Sequence, residues 1–253
     1  MQDNIKQPLQ QFILQLADNL LVMGHRNSEW TGLGPIIEED IAFASIAQDQ
    51  VGQAWNLYQL LESEFGFAHP DQVAFTRNEK EFYSSHLVEQ PTGEYDFSLA
   101  RHYLYDLAQL IRYEMLSRSS YEPLAKLAKK FHGEVKYHVF HAQTWMKQLM
   151  DGNEVSKARM QSAVNDVFPF AMGVFESVDG EEALIAEGIF EGESALKDAW
   201  MQQVGAQLLE WGYSLPQLAQ PVLGGGKGYH SEYLQPLLDE MGEVFRLDPS
   251  AEW

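Results

Sequence analysis

Apolar residues recur along this chain at helical intervals of three and four, in long segments set off by proline. Pro35, Pro70, Pro91, Pro123, Pro216 and Pro221 stand between such segments, and strand-like alternation is rare. The pattern predicts helices near 9–24, 36–64, 71–87, 96–118, 122–150, 157–177, 194–212 and 231–246. The fifth is the clearest. Pro123 suits a first turn, where its missing N–H costs nothing, and Leu124, Leu127, Phe131, Val135, His138, Ala142, Trp145 and Leu149 form one stripe. Asp151-Gly152-Asn153 then ends it. The segment 36–64 differs, because apolar or small residues such as Ile37, Ile41, Ala47, Val51, Trp55 and Leu61 occur nearly all round it. Such a helix is expected at the centre of its bundle. Long helices joined by short breaks imply an all-α fold, an antiparallel helical bundle with additional C-terminal helices. No linker is long enough to demand a second domain, so residues 1–253 are expected to form one.

Composition narrows the function classes. The chain has no Cys, which excludes disulfide frameworks, thiolate zinc sites and cysteine nucleophiles. Its 37 acids against 17 Lys and Arg give a net charge of −20, which disfavours nucleic acid and anionic membranes as partners. The charge is uneven. Residues 27–76 hold eight acids and no Lys or Arg, residues 160–196 repeat those two counts, and residues 101–159 hold 10 of the 17 basic residues. Solvated helix faces explain such blocks, as does docking onto a basic partner. Met1 to Gln11 lacks the basic flank and apolar run of a signal peptide, and no stretch approaches the ~20 apolar residues that span a bilayer. A cytoplasmic location is expected.

Long helical bundles can house a carboxylate-bridged di-iron site, built from one carboxylate on each of two helices and Glu-x-x-His on each of two others. No Glu-x-x-His occurs in this chain. A degraded version does. Asp49 is followed by Glu79-x-x-Phe82, and Asp106 by Glu134-x-x-Tyr137, so an acid precedes a Glu-x-x-aromatic motif twice. Phe82 cannot ligate a metal, and Tyr137 replaces imidazole poorly at neutral pH. Carboxylates gathered without metal need protons or cations, for which Arg77, Arg101, Arg112 and Lys136 are near enough in sequence. His138 shares a helical row with Glu134 and His141 and could offer a ligand, although its place in the apolar stripe fits a hydrogen-bonded core histidine. His25, His69, His86, His102, His132 and His230 form no spaced cluster along the chain.

Gly224-Gly225-Gly226-Lys227-Gly228 looks like a phosphate cradle but lacks the Walker spacing and a preceding strand. A shaped loop seating the last helix is expected instead, with Lys227 as a possible loop contact.

Several stretches carry a family resemblance: Leu16-Ala17-Asp18-Asn19-Leu20-Leu21-Val22, Glu29-Trp30-Thr31-Gly32, Phe75-Thr76-Arg77-Asn78-Glu79, Val88-Glu89-Gln90-Pro91, Glu134-Val135-Lys136-Tyr137-His138 and the segment from Gly225 to Leu234. With them the chain resembles the C subunits of the phenylacetyl-CoA 1,2-epoxidases, over nearly its whole length. The resemblance implies a ferritin-like fold and a non-catalytic subunit with no cofactor or metal of its own. It also implies pairing with a homologous catalytic subunit that carries the di-iron centre, beside a small bridging subunit and a flavin/iron–sulfur reductase. Under it, Asp49, Glu79, Phe82, Asp106, Glu134, Tyr137 and His138 are vestigial metal-site positions and no residue is catalytic. Gln109 follows Asp106 at i+3, so that helix supplies no histidine in that position either. Residues 178–193 match least. Two other readings compete: an active di-iron or di-manganese enzyme using Asp49, Glu79, Asp106, Glu134 and His138, and an unrelated helical interaction module.

Overall fold

The computed structural model describes residues 3–216, 220–249 and 251. Helix α1 (Asp3–Ser28) and α2 (Ile37–Phe65) are joined by a turn, and partners along them run in opposite order, Asp18 to Tyr58 and Asn27 to Gln50. They therefore form an antiparallel hairpin. Gly66 ends α2 with φ near 75°, and its N–H returns to the carbonyls of Leu61 and Glu62. The described helices continue as α3 (Pro70–Phe75), α4 (His86–Glu89), α5 (Tyr95–Leu116), α6 (Glu122–Met150), α7 (Glu154–Met172), α8 (Glu181–Ala186), α9 (Glu193–Glu210), α10 (Leu234–Met241) and α11 (Glu243–Leu247). Among the described residues there is no strand, and the chain is an all-α, ferritin-like helical protein.

The chain divides into two compact units, residues 1–91 with 223–253, and residues 92–222. In the second unit α5 and α6 make another antiparallel hairpin, with Tyr113 against Phe131 at one end and Tyr95 against Trp145 at the other. The stripe read on α6 is its buried face: Leu124, Phe131, Val135, His138 and Ala142 are buried. Asn153 caps α7 by accepting the Ser156 N–H. Helix α9 closes on α5 through Trp200, whose indole N–H donates to the Leu104 carbonyl at 3.0 Å.

Three expectations are corrected. The segment 71–87 is not one helix. Asn78 and Glu81 form a capping box around a single 3-10 turn at Glu79–Glu81, and the chain stays extended until α4. The last helix is broken at Gly242, where a side chain would overlap the Arg246 guanidinium. And α2 is not apolar-buried on every side. Ala47, Leu57 and Leu61 are buried, while Ile37, Ile41, Val51 and Trp55 are exposed. Helix α8 falls in the Glu- and Gly-rich stretch where no helix was expected.

A buried ion pair holds the irregular segment to the first hairpin. Arg77 donates from Nη1 to Asp18 Oδ2 at 3.0 Å and from Nη2 to Oδ1 at 2.6 Å, and the Tyr58 hydroxyl donates to Oδ1 at 2.6 Å. The Tyr83 N–H adds a fourth bond at 2.8 Å, so the fully buried carboxylate is well satisfied. Burial works against the charge on Arg77, but Asp18 outweighs it and holds the guanidinium pKa above its ordinary value. Removing one partner of such a pair leaves an uncompensated buried charge. Arg77→Leu is expected to lower unfolding free energy by about 3–5 kcal/mol in urea titrations, and Tyr58→Phe by about 1 kcal/mol.

Candidate functional site

The positions read as a degraded metal site fall in both units: Asp49, Glu79 and Phe82 in the first, Asp106, Glu134, Tyr137 and His138 in the second. Asp49 sits half-buried on α2, and Glu79 opens the 3-10 turn, also half-buried. Phe82 is fully buried, with the Arg77 guanidinium 4.1 Å from its ring centroid. The side chain at this position therefore serves as core and as a platform for the Asp18–Arg77 pair.

In the second unit Asp106 on α5 is buried and faces two imidazoles. His102, one turn earlier, contacts Oδ2 through Nδ1, and His138 on α6 brings Nδ1 to 3.8 Å from Oδ1. His141 Nδ1 lies 3.3 Å from His102 Nε2, extending the cluster. Burial alone would raise the Asp106 pKa, but His102 by charge and hydrogen bonding, with His138, holds it below the usual carboxylate range. Burial also lowers the His102 pKa, and the Asp106 carboxylate works against that shift. Glu134 is half-buried one turn before His138, and Tyr137 is 51 % exposed, aimed away from the core.

His102 is a correction. Spacing along the chain grouped it with nothing, but the antiparallel register of α5 and α6 sets it beside His138 and His141. The i, i+4 pair His102 and Asp106 opposite the i, i+3 pair His138 and His141 was the available signal. Two of the suggested cations pair elsewhere. Arg77 goes to Asp18, while Arg112 goes to buried Glu193 at 2.8 Å and to Gln109 at 3.1 Å. Lys136 is exposed.

The loop from Gly224 to Tyr233 is built for close approach. Gly225 is buried where a Cβ would overlap the Ser84 carbonyl oxygen, and Gly224 and Gly228 hold φ of 121° and 78°. His230 fastens it. Nδ1 lies 2.7 Å from Glu89 Oε1 and Nε2 lies 3.0 Å from the Phe82 carbonyl, while the Ser231 N–H donates to Glu89 Oε2 at 2.8 Å. Both ring nitrogens meet acceptors, which calls for the imidazolium. Burial opposes that charge, and the Glu89 carboxylate overrides it and raises the His230 pKa. Sequence reading missed Asp18, Glu89 and His230 as partners, although each lies in a stretch that carried the resemblance. Lys227 is exposed on this loop.

The donor set does not fit a carboxylate-bridged di-iron centre. Phe82 has no donor atom, Tyr137 points outward, and among the described residues no group of three or more His, Asp or Glu is arranged to hold a metal ion. The family model for the phenylacetic acid catabolic proteins matches residues 1–253. The chain belongs to that family. It is 35% identical over 242 residues to the C subunit of 1,2-phenylacetyl-CoA epoxidase from Escherichia coli (strain K12), covering 96% of this chain and 98% of that protein. Among the described residues no helix is long and apolar enough to cross a membrane.

Two outcomes follow for the loop. A raised folded-state pKa means that the His230 contact contributes fully below the unfolded value of about 6.5 and is lost as pH rises through the folded value. Urea titrations across pH 6 to 9 should therefore show wild-type stability falling toward His230→Gln as pH rises. Gly225→Val should lower stability by about 1–3 kcal/mol through overpacking, whereas Lys227→Ala should stay within about 0.5 kcal/mol.

Proposed function

We propose that this chain is the non-catalytic structural subunit of a phenylacetyl-CoA 1,2-epoxidase in aerobic phenylacetate degradation. It pairs with and stabilises a homologous subunit that carries the di-iron centre, in a cytoplasmic complex completed by a small bridging subunit and a flavin/iron–sulfur reductase. The observation that carries this reading is Phe82. The first Glu-x-x-His position is occupied by a ring sealed in the core beneath Arg77, which offers no donor atom to a metal. The second position supports it, since Tyr137 turns to the surface while Asp106 is paired to histidine within its own hairpin. The Escherichia coli relative, the C subunit of an epoxidase acting on phenylacetyl-CoA, is similar over nearly the full length of both chains. It supplies the assembly and the substrate class.

The test is co-expression in iron-supplemented cells with the family member of the same genome that retains Glu-x-x-His. A stable complex is expected, with iron tracking the partner and turnover of phenylacetyl-CoA requiring it. Two tightly held irons in this chain alone, or turnover by it with any reductase, would overturn the reading.

A further inference from the structure

Helix α2 has two apolar faces, and its own unit covers one. Phe43, Ile46, Leu57 and Leu61 are buried against the rest of that unit. On the other face Ile37 is 69 %, Ile41 61 %, Val51 42 % and Trp55 36 % exposed, and Leu33 in the preceding turn is 70 % exposed. Their spacing of 4, 10 and 4 residues keeps the four helical positions on one face over 18 residues. That is a stripe roughly 27 Å long, a length that matches about five turns of a second helix. Scattered exposed apolar residues need no explanation, but an aligned stripe of large ones does.

The stripe borders a groove of about 660 Å³ between α2 and the end of α1, lined by His25, Ala44, Ala47, Gln48 and Gly52. Gly52 has nothing within 4 Å of where a Cβ would sit, so side chains from outside have room to enter. The rim is acidic. Helix α2 carries six acids and no Lys or Arg, with Glu38 exposed beside the stripe and Glu62 exposed beyond its end. That charge selects the occupant. A second copy meeting this face symmetrically would set acid against acid, and an anionic membrane or nucleic acid would be repelled.

We propose that the exposed face of α2 is the docking surface for a helix of the partner subunit, apolar along its ridge and lined by Lys or Arg at its edges. The inference rests on the structural-subunit reading and adds the surface and its chemistry to it. The apolar stripe supplies burial and the acidic rim supplies orientation and on-rate.

The full chain, co-expressed with the same Glu-x-x-His family member, carries the test. Ile41→Asp and Val51→Asp replace exposed side chains, so folding is checked by circular dichroism and thermal melting, and Phe140→Asp on the exposed face of α6 serves as a control surface. The expected result is a complex weakened at least tenfold by either α2 variant and unchanged by the control. Charge reversal at Glu38 should slow association and flatten its dependence on salt. Folded α2 variants that bind as the wild type does would overturn the docking surface and leave the subunit reading standing. Failure of the wild type to bind that partner would overturn both. Self-association of the wild type that the α2 variants abolish would assign the face to a second copy and overturn the proposal as stated.

Discussion

A carboxylate taken out of water must be given a proton or a nitrogen partner, and that requirement shapes both units of this protein. Asp18 is met by Arg77 and Tyr58, Glu89 by His230 and the Ser231 N–H, Asp106 by His102 and His138, and Glu193 by Arg112. All but the one-turn Asp106–His102 pair join segments far apart in sequence or adjacent helices of a hairpin. Such pairs add little net stability over well-packed apolar residues, because desolvation offsets most of the attraction. Their leverage lies in exclusion. Any register that separates the partners strands a buried charge, so the Asp18 pair fixes where the 77–83 segment lies on the first hairpin, and Glu89 fixes where the 224–233 loop lies.

The same requirement bears on what the chain can do chemically. A di-iron centre satisfies several inward carboxylates with two cations, and a chain without Glu-x-x-His must satisfy them otherwise. Asp106 shows one solution, with imidazoles on the same hairpin standing around it. Phe82 shows the other, with apolar volume beside the first hairpin and the nearby guanidinium used to pair Asp18. Both arrangements satisfy buried carboxylates with groups of the chain itself.

How much was legible in sequence depended on whether the deciding interaction was local. The α6 boundaries were readable because Pro123, a continuous stripe and the Asp151-Gly152-Asn153 stop all lie within the helix or beside it. The break between Pro70 and Glu89 was not, because Asn78 and Glu81 form a cap that competes with an otherwise helical spacing. His102 was missed because its neighbours come from α6 through antiparallel register, and linear spacing carries no register. His230 and Glu89 are separated by 141 residues, and the glycines that bring them together signalled a turn without naming its destination.

Helix α2 shows where local pattern and three-dimensional context part. Apolar residues all round a helix mean that every face is covered, and the sequence cannot say by which chain. Within its own unit only the Phe43, Ile46, Leu57 and Leu61 face is covered, while the Ile37, Ile41, Val51 and Trp55 face stands exposed among acids. A stripe left bare on an isolated chain invites non-specific association, and the acids of α2, with no Lys or Arg among them, counter it by repelling like copies. The two properties are complementary. Apolar surface without the rim would aggregate, and a rim without apolar surface would bind weakly. Together they favour a partner helix that is apolar along its ridge and basic at its edges over a second copy.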